Sequence, residues 1–432
     1  MKIAFIVHPF PSVSETFILN QITGLIELGH EVDIYAHKVG NISKIHPDVE
    51  KYHLLEHTYY YNKGPENNVV RMIKALIWLT ANFSKHSVPL IESLNFFKYG
   101  IQAISLQLFY ATIILLKHKQ NYDIIHCHFG PFGLKAVLWR QIGAIQGKII
   151  TVFHGYDMTT YLKQHGEQAY DILFNLGDLF LPISQHWKQR LIEMGCTDKI
   201  AVHHMGIDCQ RFAFAVRKPQ PDGQVNIVTV ARLVEKKGVE YGIRAVAKLI
   251  ASNLNIQYTI VGNGYLREKL QQLIKELGVG DSVKLIGSQP QPEVIAVLNN
   301  SHIVLAPSVT SSTGDQEGIP VALMETMAMG LPVVSTQHSG IPELVQDGIS
   351  GFLVPERDVE ALTEKLSYLV KHPEVWPEMG AAGRSFVEKY YNISKLNEEL
   401  VEIYQNLLDD SSNKSMSNTI SNITCSSVDS SP

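Results

Sequence analysis

Cysteine is scarce in this chain of 432 residues. The four present, Cys127, Cys196, Cys209 and Cys425, show neither paired nor metal-type spacing, which speaks against a disulfide framework and for a reducing compartment. No apolar run reaches the roughly 20 residues that a membrane-spanning helix needs. The opening MKIAFIVH is too short for the apolar core of a signal peptide and reads as a first buried strand. A cytoplasmic protein, soluble or peripheral on a membrane, is expected. No Asp-x-Asp pair occurs, so neither a metal nor another cofactor is expected. Gly262-Asn263-Gly264 lacks the third glycine of a dinucleotide fingerprint, so no NAD site is read there.

What is present is an ordinary globular composition, 45% hydrophobic and 18% charged, with length for two or three domains. The net charge of −5 is unevenly spread: residues 1–206 hold 18 Lys/Arg and 16 Asp/Glu, the rest 19 and 26. Fifteen of the 18 histidines also lie before residue 207. The front half being the more basic hints at an anionic partner, and nothing suggests nucleic acid.

Apolar strands and amphipathic helices alternate twice along the chain. Residues 2–7 and 32–36 are strands around a helix from Thr16 to Leu28, which Ser12 and Glu15 open as a capping box. Strands follow at 123–128, 148–153 and 179–183. The pattern restarts at 225–231 and continues with strands at 256–261, 283–286, 303–306 and 332–335. Two doubly wound parallel α/β domains are expected, residues 1–206 and 223–391, joined by a linker at 207–222. The tail 411–432 is Ser/Asn-rich with little bulky apolar content and reads as disordered.

Residues 64–120 stand apart. They set bulky apolar residues among sparse cations, six Lys/Arg against two acids, Glu66 and Glu92. Such helices either lie on an anionic membrane surface or simply cover the sheet with their lysines solvated.

The most informative stretch is Glu317–Gly330, EGIPVALMETMAMG. Pro320 suits a first helical turn, and Gly330 with Pro332 ends the helix. The helix is apolar nearly all round, yet it carries Glu325, and Glu317 stands at its mouth. A carboxylate in apolar surroundings needs a polar partner. At about 1.5 Å rise per residue the two carboxylates would lie roughly 12 Å apart, with the free N–H groups of the helix start as an anion site between them. Two hydroxyl-binding carboxylates flanking a phosphate site outline a nucleotide-sugar.

The spacing Glu-x7-Glu resembles the signature of retaining glycosyltransferases of family 4, which have the GT-B fold: two facing Rossmann-like domains with a cleft between them. Ser339–Leu344 (SGIPEL) and Gly351–Pro355 (GFLVP) extend the likeness, and PSVSETFILNQI is similar to a subgroup of the colanic acid and amylovoran type. The resemblance implies that Glu317 holds hydroxyls of the donor sugar and Glu325 the ribose. It implies that Arg232 and Lys237, in ARLVEKKG, neutralise the departing diphosphate without a metal. The donor site then comprises Arg232, Lys237, Gly262, Gly264, Glu317, Gly318, Ile319, Pro320, Val321 and Glu325. His154, in His154-Gly155-Tyr156-Asp157, matches the acceptor-side motif and is expected to touch the sugar near the reacting carbon, its imidazole oriented by Asp157. Ser14, Glu15, Thr16, His128 and Asp157 are expected on the acceptor side, and a last helix, 392–408, is expected to cross back onto the first domain. The implied partners are a UDP- or GDP-hexose and a lipid-linked or oligosaccharide acceptor, at the inner face of the plasma membrane. A nucleotide-sugar epimerase, or a non-catalytic nucleotide-sugar-binding protein of the same fold, is the alternative.

Overall fold

The computed structural model describes residues 1–12, 16–40, 46–61, 64–118 and 121–425. The first sheet comprises β1 (Lys2–Phe10), β2 (Glu31–Val39), β3 (Thr58–Tyr60), β4 (Asn121–His128), β5 (Gln146–Phe153) and β6 (Leu179–Pro182). The second comprises β7 (Val225–Val230), β8 (Ile256–Val261), β9 (Val283–Gly287), β10 (Ile303–Ala306), β11 (Val333–Thr336) and β12 (Gly351–Val354). Their orders are β3-β2-β1-β4-β5-β6 and β12-β11-β10-β7-β8-β9, and every pairing is parallel. Both therefore reverse direction between their first and fourth strands. In open parallel sheets ligands bind at that reversal, beyond the carboxyl ends of the strands. The loops after β1 and β4, and those after β7 and β10, are thus where chemistry is expected.

The central strands are apolar and buried on both faces, as helix-covered parallel strands must be. The chain enters the second domain at Gly206–Asp208 and returns at Tyr391–Ile393. These crossings run side by side, with Ile207 N–H donating to Tyr391 O and Ile393 N–H to Ile207 O, both at 2.9 Å. The intervening segment is no loose tether. Phe212 and Arg217 are buried, and the Arg217 guanidinium donates to the carbonyls of Leu298, Asn299 and Ser301 at 2.9–3.3 Å.

Two differences from the expected elements have physical causes. The helix after Glu317 spans only Val321–Ala328, because Gly318 and Ile319 form bends and Pro320 is extended. Glu317 therefore precedes the helix, and the axial spacing drawn for the two carboxylates does not apply. A helix at Trp376–Tyr390 went unread, its periodicity diluted by Gly380 and Gly383. The last helix begins at Ile393 and runs to Cys425. Its first half joins the first domain as expected: Leu400 and Tyr404 lie in that core.

Between β3 and β4 stand helices at Asn68–Glu92, Phe96–Tyr99, Ile101–Ile104 and Gln107–Lys117. The last of these covers the sheet, Leu108, Ala111 and Leu115 joining the main core. The long helix rides on it, sharing a small separate core of Ala75, Leu90, Phe109, Ile113 and Leu116. No helix among the described residues is long and apolar enough to cross a membrane.

Candidate active site

The two domains face each other across a cleft of about 1000 Å³. Pro9, Thr16, Phe17 and Asn20 line it from the first domain, Asp208 and Arg211 from the crossing, and Val230, Ser288, Gln289, Val321 and Glu325 from the second. Of the acceptor-side residues named from sequence, Thr16 is at the cleft, and Ser14 and Glu15 lie outside the described residues.

At one end the domains touch through two glycines. Gly155 follows β5 and Gly318 precedes the Val321–Ala328 helix. A Cβ on Gly318 would lie 2.5 Å from the His154 carbonyl oxygen and 2.4 Å from the Ile183 side chain. One on Gly155, whose φ is +147°, would lie 3.5 Å from backbone atoms of Gln316 and Glu317. The approach itself requires glycine at 318 and the backbone conformation requires it at 155, and the result is that the turn after His154 lies against the loop that carries Glu317.

Glu317 is buried, with its carboxylate 2.8 Å from Lys237 Nζ. Burial pushes its carboxyl up, but Lys237 and Lys236 more than offset this and hold it below the ordinary range. Its backbone is held too. Glu317 N–H donates to His338 Nε2 at 3.0 Å, and Ser339 Oγ donates to the Glu317 carbonyl at 2.7 Å. Since Nε2 accepts, His338 carries its proton on Nδ1 and donates it to Glu356, 2.5 Å away. Lys236 is anchored to Asp315 (3.1 Å) and to the Gln316 carbonyl (3.0 Å). Four groups thus fix the loop that aims Glu317. Lys236, His338 and Glu356 have no signal of their own in the sequence.

Glu325 is half-buried on the cleft wall, and burial pushes its carboxyl up to about 7. Among the described residues no ion pair or hydrogen bond to its carboxylate is formed. Arg232 is exposed on the loop after β7 and likewise makes no ion pair there, so its guanidinium is available to a ligand. Gly262 and Gly264 serve packing: Cβ atoms there would lie 1.9 Å from Ala231 O and 2.3 Å from Leu233 O. They let the loop after β8 lie against the Arg232 loop.

The histidines differ from expectation. His154 is buried, with Nε2 3.1 Å from His128 Nδ1 and its ring against Phe17 and Phe129. Burial lowers its pKa to about 3, so it works as a neutral imidazole. Asp157 does not orient that ring. It is wholly buried and accepts from the backbone N–H groups of His154, Gly155 and Gly130 at 2.9–3.0 Å, fixing the turn. A carboxylate with this many short-range N–H donors has no reach left for the imidazole. The residue that orients His154 is His128, which is itself fully buried behind it and does not face an acceptor. Behind His128 stands His126, whose Nδ1 is 2.7 Å from Tyr404 Oη on the returning helix.

Further links close the site. Glu343 accepts from the N–H groups of Gln185 and His186 (2.8 and 3.0 Å), a carboxylate from the second domain at a helix start in the first. His186 also pairs with Gln316 at 3.2 Å.

Comparison with known proteins agrees with this geometry. A family model described as Glycosyltransferase Family 4 matches residues 14–211, and one described as Glycosyl transferases group 1 matches residues 211–386. The chain is 39% identical to a putative colanic acid biosynthesis glycosyltransferase of Salmonella typhimurium, over 94% of this chain and 100% of that protein. It is 38% identical to an amylovoran biosynthesis glycosyltransferase of Erwinia amylovora, with the same coverage of 94% and 100%. Among solved structures, an Anabaena protein in complex with UDP and glucose superposes with a TM-score of 0.70 at 16% identity, over 94% of this chain and 100% of that one. A Rickettsia africae glycosyltransferase gives 0.69 at 20%, over 94% and 98%. With both halves matched by glycosyltransferase models and close relatives aligned along their whole length, this chain belongs to the family 4 glycosyltransferases of the GT-B fold.

Proposed function

We propose that the chain moves a hexose from UDP- or GDP-hexose, with retention of configuration, to a lipid-linked saccharide in exopolysaccharide synthesis. The observation that carries this reading is the backbone contact of the His154–Gly155 turn with the Glu317–Gly318 loop from opposite domains, with Lys237 on Glu317 and Glu325 on the cleft wall. Ionised Glu317 accepts hydrogen bonds from sugar hydroxyls, and Glu325 accepts from the ribose. Lys237 and Arg232 meet the diphosphate, two fixed cations where negative charge develops. Electrostatics of this kind does the work without a metal. In the step itself, the bond from the anomeric carbon to the phosphate oxygen breaks. A bond from the acceptor oxygen forms on the same face, and the acceptor's proton passes to the leaving phosphate. Neutral His154 offers the sugar a hydrogen-bonding nitrogen without opposing the positive charge that builds on the ring. The relatives that make colanic acid and amylovoran by name support the pathway class, and two mannosyltransferases of phosphatidylinositol mannosides support a lipid-linked acceptor. Such an acceptor would place the protein at the inner face of the plasma membrane.

A panel of nucleotide-sugars tests the reading. The cognate donor at 100 times its dissociation constant should add about 2.7 kcal/mol of stability, seen as a raised Tm. With that donor, His154→Ala should lower kcat by about 100-fold while donor affinity changes little. Absence of a shift with every UDP- and GDP-hexose would reject the donor class. A normal kcat with a lowered Tm would reduce His154 to a packing residue.

A further inference from the structure

Of the 27 large apolar side chains left exposed among the described residues, 13 lie between Val69 and Ile104. They are concentrated, and they share one side. Val69, Met72, Ile73, Leu76 and Ile77 recur at the spacing that puts them along a single face of the helix Asn68–Glu92. That helix is about 37 Å long at 1.5 Å per residue, less the bend at His86. The short helices that follow add Phe97, Ile101 and Ile104, exposed by 91%, 79% and 70%. Monomeric soluble proteins seldom leave an apolar patch beyond a few hundred Å² uncovered.

Two features say what covers it. Residues 68–104 contain one carboxylate, Glu92, and four cations, Arg71, Lys74, Lys85 and Lys98. Lys98 also lies 3.9 Å from Glu92, so no free negative charge opposes a phospholipid surface. Two polar side chains along the helix satisfy themselves: Thr80 and Asn82 donate to carbonyls three or four residues back, at 3.0–3.1 Å. A protein interface would set such groups toward a partner, whereas an acyl medium offers them nothing and requires internal pairing. Beside this face a slot of about 240 Å³ opens between Ile77, Trp78, Ile113 and Ile114, with Lys74 also lining it.

From this the geometry points to insertion into a lipid bilayer: the Asn68–Ile104 hairpin lays its apolar face among the acyl chains, and the slot takes part of one chain with Lys74 near its phosphate. The binding energy is hydrophobic and the lysines are secondary, so the attachment resists salt. The inference rests on the proposed lipid-linked acceptor only for its purpose. Vesicle binding and donor-induced stabilisation are measured separately, and either can fail alone.

Flotation with phosphatidylcholine vesicles, and with 7:3 phosphatidylcholine–phosphatidylglycerol vesicles, decides it in 0.1 and 0.5 M NaCl. The whole chain should bind both, within about twofold at the two salt concentrations, because apolar burial is not screened. Met72→Ser, Leu76→Ser, Ile77→Ser and Phe97→Ser combined should lower partitioning by at least about 100-fold, with the donor-induced shift in Tm unchanged. In the unaltered protein, brominated phosphatidylcholine should quench tryptophan fluorescence, and Trp78→Phe should remove most of the quenching. The other tryptophans, Trp139, Trp187 and Trp376, are buried, which makes Trp78 the reporter. Three outcomes overturn the inference: binding confined to anionic vesicles and lost at 0.5 M NaCl, no binding to either vesicle, or a dimer that the four substitutions dissociate.

Discussion

Glu325 has a carboxyl that burial pushes up to about 7, close to working pH, and no partner group meets it among the described residues. If ribose hydroxyls bond to the ionised form, the donor binds only the fraction of protein that has lost this proton. A nucleotide-sugar, whose phosphodiesters do not titrate in this range, should bind roughly tenfold more weakly at pH 6 than at pH 8. Glu325→Gln should weaken binding at pH 8 and flatten the profile. In the free protein the sign is opposite. The folded-state pKa is raised, so the proton favours folding below about 4.5, and that contribution is lost as pH rises through 7. The Gln variant should therefore melt higher than wild type at pH 8 without donor. Titration calorimetry and melting curves at the two pH values check both halves, and a wild-type pH profile in the variant would assign the titration elsewhere. At this scale much of the site was legible. Glu317 and Glu325 could be named because a carboxylate in apolar sequence is out of place locally, whereas Arg232, Lys237 and His154 were named through the family resemblance. Lys236, His338, Glu356 and Glu343 could not be, since each has its role from a residue far along the chain.

At the scale of elements, ten strands were read to within a few residues because parallel strands are short apolar runs between turn signals, while β3 and β12, three and four residues long, were not named as strands. Helix limits were less secure where backbone approach overrides propensity, as at Gly318 and Gly380. The same kind of approach joins the returning helix to the first domain. A Cβ at Gly24, inside the helix Thr16–Glu27, would lie 1.8 Å from Asn397 Nδ2 and 2.9 Å from its Cγ, but 3.6 Å from its Cβ. Gly24→Ala should destabilise the protein by about 1–3 kcal/mol, overpacking outweighing the gain in helix propensity. Asn397→Ala removes the offending atoms, and in that background Gly24→Ala should become neutral or stabilising by up to about 1 kcal/mol. A double-mutant cycle by urea unfolding measures the coupling; additive effects would mean that the helix is not seated there.

For the whole molecule the decisive feature is that two sheets meet through one pair of chain crossings and a set of polar links at the far side of the cleft. Glu343 on Gln185 and His186, Lys163 on Thr313 at 3.3 Å, and His186 on Gln316 hold the lobes together. These groups are largely exposed, so each link is weak and the closed arrangement is reversible. Glu343→Ala should free the lobes to part, raising the radius of gyration measured by small-angle scattering without donor and restoring it with donor. An unchanged radius would show that the crossings alone set the angle. The return of the chain has a consequence in time as well. Tyr404 seals His126 inside a core whose other members are almost all made before residue 206. At 5–20 residues per second the ribosome needs roughly 10–40 s to cover the distance between them. Throughout that interval the nascent first lobe lacks the Leu400 and Tyr404 side chains of its core and the partner of His126 Nδ1. The first lobe is thus completed only when the last helix docks, after the second lobe has been made.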